Sequence, residues 1–148
     1  METRLVCPAD APLLATLHAE SFSDAKWSTE HFTSNLALPT TQGWIASHEK
    51  IPQGFILYQI VEDEIEILTF CVTPVARRTG IGHAILNTVL ISAKDKNVRR
   101  IFLDVAIDNH GALALYVKTG FHVVGKRTAY YLRGSERIDA VLLEYTFK

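Results

Sequence analysis

The hexapeptide Arg77-Arg78-Thr79-Gly80-Ile81-Gly82 places two glycines two positions apart, directly behind paired arginines and directly ahead of an amphipathic stretch. Glycines at the start of a helix let main-chain N–H groups approach an anion closely, and the helix dipole favours negative charge at that end. Arg77 and Arg78 add cations beside it. Several N–H donors pointing outward from one loop suit a pyrophosphate better than a lone carboxylate. Two other phosphate loops are excluded. A P-loop needs a Lys-Ser/Thr pair after its last glycine, whereas Gly82 is followed by His83 and Ala84. A dinucleotide fingerprint needs a third glycine, and none occurs before the helix is well under way. A plain strand-to-helix turn would use the same residues, so the elements around the loop have to decide.

Those elements can be read in outline. A short strand near Thr3 to Val6 leads into a helix from about Ala11 to Phe22, with Asp10 as its N-cap and Pro12 in its first turn. Ser28 caps a second helix in the stretch WSTEHFTSNL. The stretches QGWIASHE and QGFILYQIVEDE, each opened by glycine and rich in aromatic and branched residues, predict two strands. Glu64 to Val72 is a nearly continuous β-run, expected to be central and covered on both faces, and Pro74 ends it. From Gly82 to about Lys94 the spacing predicts a helix with Ile81, Ile85, Val89 and Ser92 on one face. RRIFLDVA is a further strand. Asp108 or Asn109 then caps a helix carrying Ala112, Leu115, Tyr116 and Thr119 near one face and stopping at Gly120. HVVGKRTAYYL and ERIDAVLLEYTF flank RGSE as a closing hairpin. This order predicts an α/β or α+β fold, a mixed sheet with helices packed on it.

Composition sets the outer bounds. A chain of 148 residues with 48% apolar residues can bury one substantial core, so residues 1–148 are expected to form a single domain. A formal net charge of -1 with acids and bases interspersed gives no global attraction for nucleic acid or an anionic membrane. Cys7 and Cys71, both in apolar surroundings, suit buried thiols in a reducing compartment. Their spacing to the histidines makes no zinc pattern, and no metal is expected. With no leader-like N-terminus and no apolar run long enough to cross a bilayer, the protein is expected to be soluble and cytoplasmic.

Three further stretches occur around the loop: EIEILTFCV before it, then IFLDVAIDNHGALALYVKTGF, then KRTAYYL. Together they resemble the GCN5-related N-acetyltransferase (GNAT) superfamily, and more narrowly the ribosomal-protein-alanine N-acetyltransferases of the RimI type. The resemblance is strong from Ile65 to Leu132 and thinner upstream, where WSTEHF carries it. It implies a mostly antiparallel mixed sheet with a splayed parallel central strand pair. It implies too that the Arg77–Gly82 loop, matching the family's R/Q-x-x-G-x-G/A in full, binds the pyrophosphate of acetyl-CoA through amides from about Arg78 to Gly82. Phe70, Cys71 and Val72 would bond the pantetheine arm by their main chain, and the N–H of Cys71 or Val72 would polarise the thioester carbonyl. Asn109 and His83 would contact the cofactor. Tyr116 matches the tyrosine that lies near the thioester sulfur and could protonate the departing thiolate.

Acetyl transfer needs a neutral amine, a polarised carbonyl and a proton for the leaving group. An α-amine is neutral to roughly ten per cent at pH 7, a lysine side chain only to a few parts in ten thousand, so an N-terminal acceptor demands less of a base. Where RimI-type enzymes commonly carry glutamate, this chain has Asp104, one methylene shorter, so a route through one water would replace direct contact. Glu66 is the competing base; Asp104 could equally be an arginine's partner, and Glu66 a solvated strand residue. Tyr130 and Tyr131 would help wall a peptide groove, only one of them facing it. Trp27 lies in a segment that could overhang the same groove. The resemblance thus implies an acetyl-CoA-dependent acyltransferase acting on a protein N-terminus, extending to the N-terminal alanine of a ribosomal protein, with no direct nucleic-acid or membrane partner and as a monomer or weak dimer. A lysine or small-amine acetyltransferase, or a non-catalytic CoA-binding domain, are the alternatives.

Overall fold

The computed structural model describes residues 1–22 and 27–147. Seven strands form one sheet: β1 (Glu2–Leu5), β2 (Thr41–His48), β3 (Ile51–Val61), β4 (Glu64–Val72), β5 (Arg100–Ala106), β6 (His122–Arg133) and β7 (Glu136–Thr146), in the order β1-β2-β3-β4-β5-β7-β6. Every neighbouring pair is antiparallel except β4 and β5. Helices α1 (Ala11–Ser21) and α2 (Thr29–Leu36) pack on one face, α3 (Ile81–Asp95) and α4 (His110–Thr119) on the other.

Alternation along β3 builds both layers. Ile56 and Tyr58 face α3, while Phe55 and Leu57 face α1 and α2, all with 1% exposure or less. Ile85, Leu86 and Val89 of α3 are fully buried, and each such side chain is worth about 1.5–3 kcal/mol relative to exposure. Ser92, expected on that buried stripe, is half-buried, and Ala93 takes the inner position. Ser28 caps α2 as the sequence suggests, its hydroxyl accepting from the His31 N–H at 3.1 Å. Asn109 does the same for α4, and Gly120 ends that helix with φ +117°.

Two expectations about the N-terminal segment need correction. Asp10 precedes α1 but does not cap it with its side chain, because the carboxylate accepts from the Cys7 N–H at 2.8 Å and pairs with Arg4. Cys7 is exposed where the chain leaves β1, and only Cys71 is buried.

The strand β4 carries the feature that shapes the site. Leu57 of β3 opposes Thr69 and Tyr58 opposes Ile67, so Leu68 is an extra residue, a β-bulge. Before it Ile65 and Ile67 face α3; after it Phe70 and Val72 do, and Cys71 faces α1. The expected cover on both faces is therefore incomplete, with Leu68, Thr69 and Phe70 only half-buried.

Candidate functional site

The central strands part soon after they meet. Pairing of β4 with β5 covers Glu64↔Arg100, Ile65↔Ile101 and Glu66↔Phe102 and then stops. Beyond that point β4 stays paired with β3 through Val72, and β5 with β7 through Ala106. The facing edges of Ile67–Val72 and Leu103–Ala106 thus keep main-chain donors and acceptors without a strand partner. A cleft of about 470 Å³ opens there. Its floor comes from Leu68, Thr69 and Phe70 of β4 and Asp104 of β5; α4 contributes Asn109 and Tyr116. Tyr131, Leu132 and Arg133 of β6 also line it, as do His18, Phe22 and Trp27.

The glycine loop lies at the end of β4. A 3-10 turn over Pro74–Ala76 leads into Arg78 with φ +64° and Gly80 with φ +88°. The Thr79 hydroxyl donates to the Ala76 carbonyl, and the first helical bond of α3 runs from the Ala84 N–H to the Gly80 carbonyl at 3.0 Å. Among the described residues, the N–H groups from Arg78 to His83 have no acceptor. Amides left free at a helix N-terminus are of the kind that suit an anion. The two glycines serve different ends. Gly80 needs its left-handed backbone, with open space where a Cβ would be. A Cβ on Gly82 would stand 3.1 Å from Leu115 Cδ2, so this glycine lets α4 approach α3. The Arg77 side chain is engaged by main-chain carbonyls. Its Nε donates to the Val72 carbonyl and its Nη2 to the Ser21 carbonyl, each at 3.1 Å, clasping the loop to the end of α1. Arg78 and His83 are exposed.

Tyr116 is 3% exposed, its ring edge-on to Phe70 and Phe121 at centroid distances of 6.0 and 5.3 Å. Burial, with a smaller contribution from Tyr131, pushes its phenol well above the ordinary tyrosine range, so it stays protonated. Asp104 has a side chain only 14% exposed, with Arg127 Nε 3.1 Å from Oδ1. That N–H is not directed at the oxygen, and Oδ1 receives no hydrogen bond among the described residues. Buried polar atoms are usually satisfied, so an orphaned carboxylate oxygen in a cleft marks a place for a donor. Glu66, ahead of the parting, is half-buried and does not line the cleft. Of the two tyrosines, Tyr131 lines the cleft and donates its hydroxyl to the Asp104 carbonyl at 3.1 Å, while Tyr130 is 46% exposed. Cys71 turns its thiol into the α1 layer, where burial pushes it up to about 12.

Sequence reasoning missed His18, Leu132 and Arg133 as lining residues. His18, only 4% exposed, accepts the Trp27 N–H at Nδ1 (3.3 Å), while Trp27 stacks on His31 at 4.1 Å. Burial, then the nearby His31, lowers His18 to about 4. A signal for the bulge was present, since the large apolar residues of EIEILTFCV shift from odd to even positions between Ile67 and Phe70.

The sequence model of the Acetyltransferase (GNAT) family matches residues 12–121. The [ribosomal protein bS18]-alanine N-acetyltransferase of Escherichia coli (strain K12) is 30% identical over 132 residues, 88% of each chain. An uncharacterized N-acetyltransferase of Mycobacterium tuberculosis (strain ATCC 25618 / H37Rv) is 32% identical, over 84% of this chain and 78% of its own. The crystal structure of the Escherichia coli ribosomal-protein-S18-alanine N-acetyltransferase superimposes with a TM-score of 0.89 at 24% identity, covering 98% of this chain and 94% of that one. Arabidopsis thaliana NAA60 in complex with acetyl-CoA gives 0.84 at 22% identity, covering 99% and 98%. The fold is shared with these solved structures, and the chain belongs to the acetyltransferase (GNAT) family and is an acyltransferase.

Proposed function

We propose that the protein transfers the acetyl group of acetyl-CoA to the α-amine at a protein N-terminus, with the N-terminal alanine of a ribosomal protein as the acceptor to test first. One observation carries the reading. A single cleft holds a buried carboxylate oxygen without a hydrogen bond, on Asp104, and a buried protonated phenol, on Tyr116. A base for an incoming amine and an acid for a departing thiolate are the two proton-handling groups that acyl transfer to an amine requires. The ribosomal-protein relative supplies the acceptor class.

Acetyl-CoA, when bound, supplies an acyl group already activated as a thioester. The residues present fit it. The free amides from Arg78 to His83 would hold the pyrophosphate, with Arg78 beside them. The unpaired edge of Phe70, Cys71 and Val72 would bond the pantetheine arm, and Asn109 lies at the head of α4 on the same cleft. Asp104 would take the amine's proton through one water, consistent with its short side chain. Tyr116 would deliver its proton to the leaving sulfur. Trp27 and Tyr131 both line the cleft and would flank the acceptor peptide.

The test offers the purified protein acetyl-CoA and two peptides beginning with alanine. One has a free N-terminus and no lysine; the other is N-terminally blocked and has one internal lysine. Intact-mass spectrometry should show acetyl addition to the free N-terminus alone. Addition only to lysine would move the acceptor to a side-chain amine. Addition to neither would refute peptide acetylation.

A further inference from the structure

The strand β6 leaves its ladder twice, by one residue at Val124 and more widely after Arg127. Arg127 opposes Ala140 and Tyr131 opposes Ile138, so Thr128, Ala129 and Tyr130 together face Asp139 alone. Ala129 adopts φ +53°, a conformation that a residue with a Cβ takes only when its surroundings hold it there. Asp139 does so: one carboxylate oxygen accepts the Ala129 N–H at 2.7 Å, and the other lies 3.1 Å from Lys126 Nζ.

This pinned bulge grips Asp104 from two sides. Tyr131, just after it, donates its hydroxyl to the Asp104 main-chain carbonyl. Arg127, just before it, brings Nε to 3.1 Å from Asp104 Oδ1, and its guanidinium carbon stands 5.2 Å from the centroid of the Tyr130 ring. The ladder places the two side chains on one face, since Asp104 opposes Leu142 and Arg127 opposes Ala140, two residues along the same strand β7. A cation close to a carboxylate but off the line of a hydrogen bond attracts it without occupying its lone pair. The carboxylate is held in direction, and Oδ1 is left able to accept from something else.

We infer that Arg127, carried by the Asp139-pinned bulge and braced against Tyr130, is a positioning residue that orients the Asp104 carboxylate toward the acceptor amine without touching either reactant. The inference rests on the acetyl-transfer reading above. It also gives a role to Arg127, whose side chain is half-exposed.

A double-mutant cycle tests it, with kcat and both KM values measured on the free alanine peptide for wild type, Arg127→Ala, Arg127→Lys, Asp104→Asn and the Asp104→Asn/Arg127→Ala double variant. Loss of orientation should lower kcat by about tenfold in Arg127→Ala with KM for acetyl-CoA unchanged. Arg127→Lys, which keeps the cation, should recover most of that loss. On the Asp104→Asn background the alanine should cost less than about twofold, because the group it would act through is gone. A full tenfold loss on that background, or a lysine variant as slow as the alanine one, would overturn the positioning role while leaving acetyl transfer in place. A wild type that acetylates no peptide would overturn the acetyl-transfer reading and the inference built on it.

Discussion

Removing one oxygen from Tyr116 should separate catalysis from folding. In Tyr116→Phe the ring stays, and with it the edge contacts to Phe70 and Phe121 at 6.0 and 5.3 Å. The hydroxyl makes no hydrogen bond among the described residues, so its loss breaks no protein contact. The change in folding stability should stay within about 1 kcal/mol, since the hydroxyl is not among the fully buried atoms that lack a partner. The effect on rate should be far larger. A positioned general acid contributes typically 10²–10⁴-fold, about 2.7–5.5 kcal/mol at the barrier. Because burial raises the phenol, wild-type Tyr116 keeps its proton across the neutral range, and the defect of the variant should be nearly constant over that range. The assay is single-turnover acetylation of the alanine peptide, alongside urea unfolding and a direct titration of CoA binding. A variant with wild-type turnover, or one whose rate falls only in proportion to lost stability or lost CoA binding, would refute the proton-donor role.

Three other outcomes can be checked. His18 is lowered from 6.5 to about 4 by burial and by His31, so the unfolded chain binds a proton there before the folded one does. Stability should therefore fall as pH drops from about 6.5 toward 4, by about 2 kcal/mol at pH 5, and urea midpoints of His18→Phe should lack that component. Asp10 has the opposite sign: Arg4 lowers its carboxyl from 3.8 to about 2, so the stability it contributes is present above about pH 4 and lost as pH falls through 2. With Arg4 half-exposed the contribution should be about 1 kcal/mol, measured as the difference between wild type and Asp10→Asn in acid titrations. The loop glycines should respond differently: Gly82→Val, pressed on Leu115, should cost about 1–3 kcal/mol in denaturant unfolding, whereas Gly80→Asn, in open space and a conformation asparagine accepts, should cost less than about 1 kcal/mol.

The glycine loop was legible because its signal is local. Two glycines, a strand ending at Pro74 and the periodicity of α3 are contiguous, and each feature depends mainly on its neighbours. Sequence reasoning nevertheless gave both glycines one role, because the approach of Leu115 to Gly82 is a tertiary fact. The acceptor half was less legible for the same reason in larger measure. Asp104, Arg127, Tyr131 and His18 come from β5, β6 and α1, and only the sheet order β5-β7-β6 brings the first three together. Arg127 beside Lys126 in the sequence is an ordinary basic pair. Three residues facing one across the ladder give it a defined direction.

The parted strands also show why a cleft in the middle of a sheet does not undo it. Opening β4 from β5 forfeits main-chain pairing along Ile67–Val72 and Leu103–Ala106, yet each strand keeps a complete antiparallel neighbour on its outer side. The sheet is thus held as two halves, joined by the Glu64–Glu66 pairing and by the ion pairs of Arg99 and Arg100 with Glu64 at that closed end. The Leu68 bulge lies two residues past Glu66, the last β4 residue paired with β5, and its local twist turns the rest of β4 away. Strand edges left unpaired in this way are unsatisfied donors and acceptors in a half-buried groove, and an extended ligand with amide groups of its own can supply what β5 does not. The opening that weakens the sheet is therefore the same feature that equips it to bind.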